Sequence, residues 1–266
     1  SSDLPLVMPD DIASARQRLL ALPEGSRVLV AGGDGTVHQL LPALVARRLQ
    51  LALLPGGTGN DLARALGLAH LGWREALALA QRAPARAMDL GELTLPAGDP
   101  QLFMSSLTAG FDAAIARRAL ASPAWLRGQP RYLWATLHEI TRLRLYPLRL
   151  EADGALLHEG PMLFASSLNT PSYGSGMPAA PGARIDDGRL QLLRVGAFGR
   201  LGALAMMPLL LTGQHLRHPR VALGSFQSLR LSSPATVPLA LDGEPLPPAT
   251  ALTVRVRPGA LHVVHG

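Results

Sequence analysis

The sequence predicts two joined units. An α/β unit with a parallel sheet occupies residues 1–88, and a mostly antiparallel β-sandwich occupies residues 89–266. Three observations carry this. Before residue 70, a short apolar run twice meets a glycine-rich loop that opens into a helical pattern. That is the strand–loop–helix unit of parallel sheets, which bind ligands at the carboxyl ends of their strands. From about residue 88, the pattern changes to short alternating runs separated by turn signals, as in sandwiches and barrels. The chain of 266 residues is 48% hydrophobic and 17% charged, which suffices for a large core and excludes a disordered chain.

Residues 4–9 (LPLVMP) read as a short strand, and Asp10 or Asp11 then caps a helix through about residue 21. Val28–Ala31 is a buried strand that runs into 32-GGDGT-36. After Thr36, the apolar residues Val37, Leu40, Leu41, Leu44 and Val45 share one helical face. Leu51–Leu54 is the next strand, and 55-PGGTGNDLARALGL-68 opens a second helix capped by Asn60 or Asp61. In the second unit, strands are expected within 101–110, 147–160, 161–169, 189–196, 228–234, 236–246 and 251–264, with helices near 129–143 and 198–213. Asp153-Gly154 lies between two alternating runs and reads as a hairpin turn; Asp242-Gly243 has the same local pattern.

The absence of cysteine excludes disulfides, thiolate nucleophiles and Cys-ligated metal. The 4% aromatic content argues against base-stacking surfaces and hence against nucleic acid as a partner. The eight histidines offer no metal cluster. The most apolar run, 201–213, is too short to span a bilayer and contains Pro208. A net charge of +6, carried by arginine with no lysine, favours anionic partners. Glycines between a strand and a helix let the backbone approach a phosphate, which the helix N-terminus attracts. The lysine-dependent GK[ST] phosphate loop is impossible here, and neither loop supplies G-x-G-x-x-G.

GGDGT at 32–36 resembles the nucleotide loop shared by diacylglycerol, sphingosine, ceramide and NAD kinases and phosphofructokinases. PGGTGNDLARALG at 55–67 is similar to the second motif of the soluble bacterial diacylglycerol kinases. Agreeing pieces follow in order: 88-MDLGEL-93, Gly110-Phe111-Asp112-Ala113, Gly174-Ser175-Gly176-Met177, 183-ARIDDGRLQLL-193, 213-GQHLRHPRV-221 and 241-LDGE-244. The resemblance covers nearly the whole chain. It implies an NAD-kinase/phosphofructokinase-like first domain and an ATP-dependent lipid kinase, with diacylglycerol as the leading acceptor. Sphingoid bases, ceramide and phosphatidylglycerol are alternatives. NAD kinase and a non-catalytic nucleotide-binding membrane protein are the rival readings.

By the same resemblance, Gly32, Gly33, Asp34, Gly35, Thr36, Val37 and His38 wrap the ATP phosphates, joined by Thr58. Asp242 is the implied base, with Glu244 beside it and Asp89 and Thr58 in its network. A structural Mg²⁺ is implied on the carboxylate of Asp187 and the carbonyls of Arg184 and Arg189. The resemblance further implies a cytoplasmic protein, peripheral at an anionic inner membrane surface, that could form a homodimer. Trp125, Tyr132 and Trp134 are candidates to touch lipid. The sequence departs from the family in three ways. The Asn-Pro-x-Ser-Gly loop that normally precedes these motifs is not in it. His38 stands where asparagine is common, and Ser105 stands near another such position. A Cβ at Gly33 is expected to fill space that a phosphate needs.

Overall fold

The computed structural model describes residues 7–266 apart from 124, 127 and 128. The strand expected at 4–9 lies partly outside these residues, and its described end is not in a strand. Helix α1 (Ile12–Ala21) begins at Asp11, whose carboxylate accepts the Ser14 amide at 2.7 Å, the usual device for satisfying an orphan N–H. Strand β1 (Arg27–Gly32), helix α2 (Asp34–Ala46) and strand β2 (Gln50–Pro55) follow. β1 and β2 pair in parallel from Arg27–Gln50 to Gly32–Pro55, so the two glycine loops leave the sheet side by side. Short α3 (Asp61–Ala65) and α4 (Trp73–Arg82) complete this half. Val37, Leu40, Leu41 and Leu44 of α2 are buried against β1 and β2, as the helical spacing predicts.

Strand β3 (Ala85–Thr94) leads to β4 (Gln101–Phe103) and β5 (Ser106–Gly110), which the sequence had suggested as one run. Helices α5 (Phe111–Leu120) and α6 (Gln129–Thr141) come next, then β6 (Tyr146–Ala152), β7 (Ala155–Leu168), β8 (Leu190–Gly196) and α7 (Arg200–Leu211). After a 3₁₀ turn at His215–Arg217, β9 (Val221–Phe226), β10 (Ser228–Leu241) and β11 (Glu244–Val264) close the chain.

Two long strands change partners along their length. β10 pairs with β6 through residues 229–232 and with β5 through 239–241. β7 likewise pairs first with β6, then with β5 and β8. This wraps the antiparallel strands around the core containing Phe103, Leu150, Phe226 and Val254. β11 runs antiparallel to β10 and β3, yet its end, His262 and Val263, pairs in parallel with Gln50 and Leu51 of β2. The last strand therefore joins the β1–β2 pair to the antiparallel strands in one mixed sheet. A third core lies outside the strands, where α5, α6 and α7 pack near Leu163, Phe164, Leu193 and Val195 of β7 and β8.

Gly91 on β3 stands opposite the buried Phe103 of β4, and a Cβ there would lie 2.0 Å from the ring. Gly91→Ala should therefore cost about 1–3 kcal/mol, the usual penalty for overpacking a core. The denaturation midpoint should fall clearly below that of the parent protein.

Candidate active site

The two glycine loops meet backbone to backbone. A Cβ on Gly33 would lie 2.7 Å from the Cα of Gly57, and one on Gly57 2.6 Å from that of Gly33. The space at Gly33 thus belongs to the neighbouring loop, which corrects the expectation that a phosphate needs it. Asn60, in the left-handed region at φ 51°, closes the second loop with two bonds. Its amide donates to Gly57 O at 2.7 Å, and its oxygen accepts Gly57 N at 3.0 Å. Asp34 from the first loop accepts the Asp61 and Leu62 amides at 2.9 and 3.1 Å. It thereby caps α3, so the cap comes from the other loop rather than from Asn60 or Asp61. Burial raises the Asp34 pKa, against the pull of these two amides.

Asp61 carries the connection into the second half. Its Oδ1 accepts Ser172 Oγ and Gly176 N, both at 2.9 Å, and its Oδ2 accepts Ser175 N at 3.0 Å. Arg64 donates to the same carboxylate and to Gly59 O.

Asp242 occupies the left-handed first position of the β10–β11 turn, at φ 47°. The turn pairs Leu241 with Glu244, as a two-residue hairpin should. Its Oδ1 accepts Ser105 N at 2.8 Å and Ser106 N at 2.9 Å. Its Oδ2 accepts Met104 N at 3.0 Å and meets His38 Nδ1 at 2.8 Å. The Asp242 side chain is wholly buried. A carboxylate has about four lone-pair sites, and all are engaged here. Asp242 thereby gathers residues 104–106 and His38 around the turn. Burial lowers the pKa of His38. The bond to Asp242 and the charges of Asp242 and Glu244 outweigh that and raise it above the ordinary value.

Asp153, in the look-alike turn, also accepts amides, from Gln227 and Ser228, and pairs with Arg189 at 3.3 Å. It is not an idle turn residue, but it is half-exposed where Asp242 is enclosed.

A single cavity of about 850 Å³ joins two different walls. Gly32, Gly33, Asp34, Gly35, Thr36 and Thr58 line one end, together with Asp61, Ser105, Asp242 and Glu244. Glu244 stands close over the first loop: a Cβ on Gly35 would lie 3.7 Å from its Oε1. Phe111 and Ile115 of α5, Leu133 and Ile140 of α6, and Met206, Met207 and Leu210 of α7 line the other end. Leu133 and Leu211 both line the cavity and are exposed, so it opens to the outside beside α6 and α7. Tyr132 lines it too, while Trp125 is exposed and Trp134 stacks on His138.

Other expected site residues lie elsewhere. Val37 is in the core, fully buried, and cannot wrap a ligand. Among the described residues, no direct hydrogen bond joins the Asp89 carboxylate to Asp242 or Thr58. The Asp89 carboxylate accepts Gly188 N at 2.6 Å and Gly259 N at 2.8 Å, tying the 184–189 loop to the irregular part of β11. Arg184 pairs with Asp186, and Asp187 Oδ1 accepts the Arg189 amide at 3.0 Å. None of Arg184, Asp187 and Arg189 lines the cavity. Among the described residues, no three His, Asp or Glu side chains converge as a metal site. Two residues that sequence reasoning passed over belong to the site, Asp61 and Asp112. Both stand inside quoted motifs, and Asp112 opens a helix that the reading did not include.

Residues 8–93 match the family described as "Diacylglycerol kinase catalytic domain", and residues 105–265 match "YegS C-terminal NAD kinase beta sandwich-like domain". The chain is 31% identical over 268 residues to a Mycobacterium tuberculosis protein named diacylglycerol kinase, covering 97% of this chain and 86% of that one. It is 35% identical over 262 residues to a probable lipid kinase YegS-like of Pseudomonas putida, with coverages of 94% and 82%. A putative diacylglycerol kinase structure from Bacillus anthracis str. Sterne has a TM-score of 0.73 at 20% identity, over 96% of this chain and 82% of that one. Yeast NADH kinase complexed with NADH gives 0.54 at 14% identity, with coverages of 94% and 64%. At these identities, the two solved structures speak to the fold.

Asp242→Asn tests the organising role. An amide NH₂ would face backbone donors, leaving at least one buried N–H unpaired at a cost of about 1–3 kcal/mol. The denaturation midpoint should fall. A variant with unchanged stability would show that these bonds do not organise the turn.

Proposed function

The chain belongs to the diacylglycerol kinase catalytic-domain family with a YegS-type C-terminal domain, and from that premise we propose that it transfers the γ-phosphoryl of ATP to a lipid hydroxyl, with diacylglycerol the leading acceptor. It is a kinase by that membership. The carrying observation is the shape of the cavity, which joins glycine loops at one end to apolar helices at the other. A volume of about 850 Å³ is near the top of the roughly 300–1,000 Å³ usual for small-molecule pockets. A lipid headgroup would then sit between the phosphates and the α5–α7 chamber, with its chains leaving past Leu133 and Leu211.

In this reading, residues 1–88 are the nucleotide unit and 89–266 the lipid unit. The first amides of α2, at Asp34 and Gly35, lack partners within the helix by helix geometry and face phosphate. Gly32, Gly33, Thr36 and Thr58 shape the same wall. Phosphoryl transfer needs positioning and charge neutralisation above all. Bound Mg²⁺ supplies part of that neutralisation. The oxygen donors of the 184–189 loop, the Asp187 carboxylate and the Arg184 and Arg189 carbonyls, suit a hard cation in chemistry. A cation there would fasten the loop that Asp89 already holds, away from the transfer.

No helix among the described residues is long and apolar enough to cross a membrane. Leu137, Leu201 and Leu204 are exposed on α6 and α7, the helices that also carry Leu133 and Leu211. These leucines would rest on the bilayer surface, and arginines would favour anionic lipid.

Labelled ATP offered with diacylglycerol, sphingoid base, ceramide, phosphatidylglycerol and NAD should label a lipid and leave NAD unlabelled. Label in NAD alone would overturn the reading. Each buried leucine is worth about 1.5–3 kcal/mol. Replacing Leu133 and Leu211 together by Asp should therefore weaken vesicle association by at least about tenfold, with ATP binding unchanged. Vesicle flotation and nucleotide titration check the two halves separately.

A further inference from the structure

One side-chain bond ties the helix of the first glycine loop to the β10–β11 turn. His38, in the second turn of α2, meets Asp242 at 2.8 Å across 204 residues of sequence. Val37 and Leu41 of the same helix are fully buried, so the core holds the backbone that carries the imidazole. His38 is not among the residues that line the cavity, which corrects the expectation that it wraps a phosphate. It touches the cavity wall through Asp242, which does line it. The other three partners of Asp242 are the amides of Met104, Ser105 and Ser106, which donate at every pH. His38 is the one partner of the four whose charge can change. An ionised Asp242 only accepts, so the neutral ring carries its hydrogen on Nδ1. The His38 side chain is 19% exposed and that of Asp242 wholly buried, so water reaches the pair through the imidazole.

We propose that His38 is the positioning residue for Asp242 and that its protonation makes lipid phosphorylation sensitive to pH. The assignment rests on the lipid-kinase reading above and on Asp242 as the base that the resemblance implies. In the transfer, the acceptor oxygen bonds to the γ-phosphorus and its proton passes to Asp242. The bond from the γ-phosphorus to the bridging oxygen breaks, and ADP leaves with that electron pair. A neutral His38 orients the carboxylate through Nδ1–H and adds no charge. A protonated His38 orients it equally, but the incoming proton then meets a cation beside it, and transfer is slower. The charged groups around His38 are Asp242 and Glu244 at the β10–β11 turn, Arg16 and Arg18 on α1, and Asp34 at the start of its own helix. Residues 101–106 carry none. Arg27, the ionisable residue of β1, lies at the far end of that strand on Gln50 and Ala80 O, and Arg255, Arg257 and His262 lie further along β11. Burial lowers the His38 pKa, but the bond to Asp242 and the charges of Asp242 and Glu244 raise it above the usual value. The switch therefore operates above about pH 6.5.

His38→Asn separates the bond from the charge. The asparagine amide nitrogen is bonded to Cγ, as Nδ1 is, and donates at every pH. The phosphates of ATP also titrate near neutrality, so kcat/KM for lipid is read as the ratio of wild type to His38→Asn. That ratio should rise with pH above about 6.5, whatever the absolute rates. Stability should run the other way. A proton held more tightly in the folded protein stabilises it fully below about pH 6.5, and that gain is lost as pH rises through the folded value. The thermal midpoint of wild type relative to His38→Asn should therefore fall over the same range. His38→Leu has no donor and should lose about tenfold to a hundredfold in lipid turnover relative to His38→Asn, the scale of a misplaced reacting group. Its affinity for a non-hydrolysable ATP analogue should match that of the other two proteins. If His38→Leu does not fold, the two ratios against His38→Asn decide. A turnover ratio or a midpoint difference that stays flat with pH overturns the assignment, as does a His38→Leu protein that turns over like His38→Asn or loses ATP affinity. A wild type that labels no lipid overturns the lipid-kinase reading and this assignment with it. A wild type that labels lipid with a pH profile shared by His38→Asn overturns this assignment alone.

Discussion

A carboxylate removed from water must find N–H groups or pay heavily for its charge. Four aspartates obey this constraint here, and the rest of the site depends on them. Asp34 holds the start of α3, and Asp61 holds the 172–176 segment. Asp89 holds Gly188 and Gly259, and Asp242 holds residues 104–106 with His38. Each bond to a charged acceptor contributes about 1.5–3 kcal/mol. Asp34 and Asp61 join segments outside the sheet ladder, and Asp89 and Asp242 reinforce places where paired strands become irregular or turn. Asn169 adds a neutral version of the same device: its side-chain amide donates to Asp89 O and Met104 O. The backbone at Asp89 is thereby linked to the segment that Asp242 gathers, although the two carboxylates never meet.

The glycines serve the same end from the steric side. Gly33 and Gly57 let two loops touch at their Cα atoms, which brings Asp34 within reach of α3. Close packing of these loops is compatible with the phosphate binding proposed for them. The contact shapes the wall, and the first amides of α2 remain at its surface. On the proposed reading, the loop needs no lysine, since main-chain dipoles can meet an anion.

Local periodicity made much of the fold legible. The α2 face, the β1–β2 pair and both Asp-Gly hairpins follow from spacing and turn chemistry. The partners of β10 and β7 do not, because a strand that changes neighbours midway looks the same in sequence as two shorter ones. The return of β11 to β2 was hidden for a similar reason: alternation specifies a strand, not its neighbour. Helix α5 was missed because it starts after a glycine at φ 107° with no side-chain cap, and much of its inner face is alanine. That face nonetheless carried a signal in Phe111, Ile115 and Ala119. At the site, the motifs marked the loops but not the tasks of their acids. The amides that claim Asp242 are more than 130 residues away in sequence. Nothing near position 242 announces them.

Protonating an acid that organises backbone carries a structural cost. A proton on Asp242 would turn an acceptor into a donor among three backbone N–H groups and His38. The turn at 104–106 would then loosen. Asp34 and Asp61 face the same conflict, since their oxygens also hold helix and loop amides. Asp112 does not: its neighbours Thr108 and Tyr173 are hydroxyls, which can donate to the charged form and accept from the neutral one. Both protonation states can therefore be accommodated without moving the main chain. Protonation therefore disturbs less of the main chain at Asp112 than at Asp242, Asp34 or Asp61.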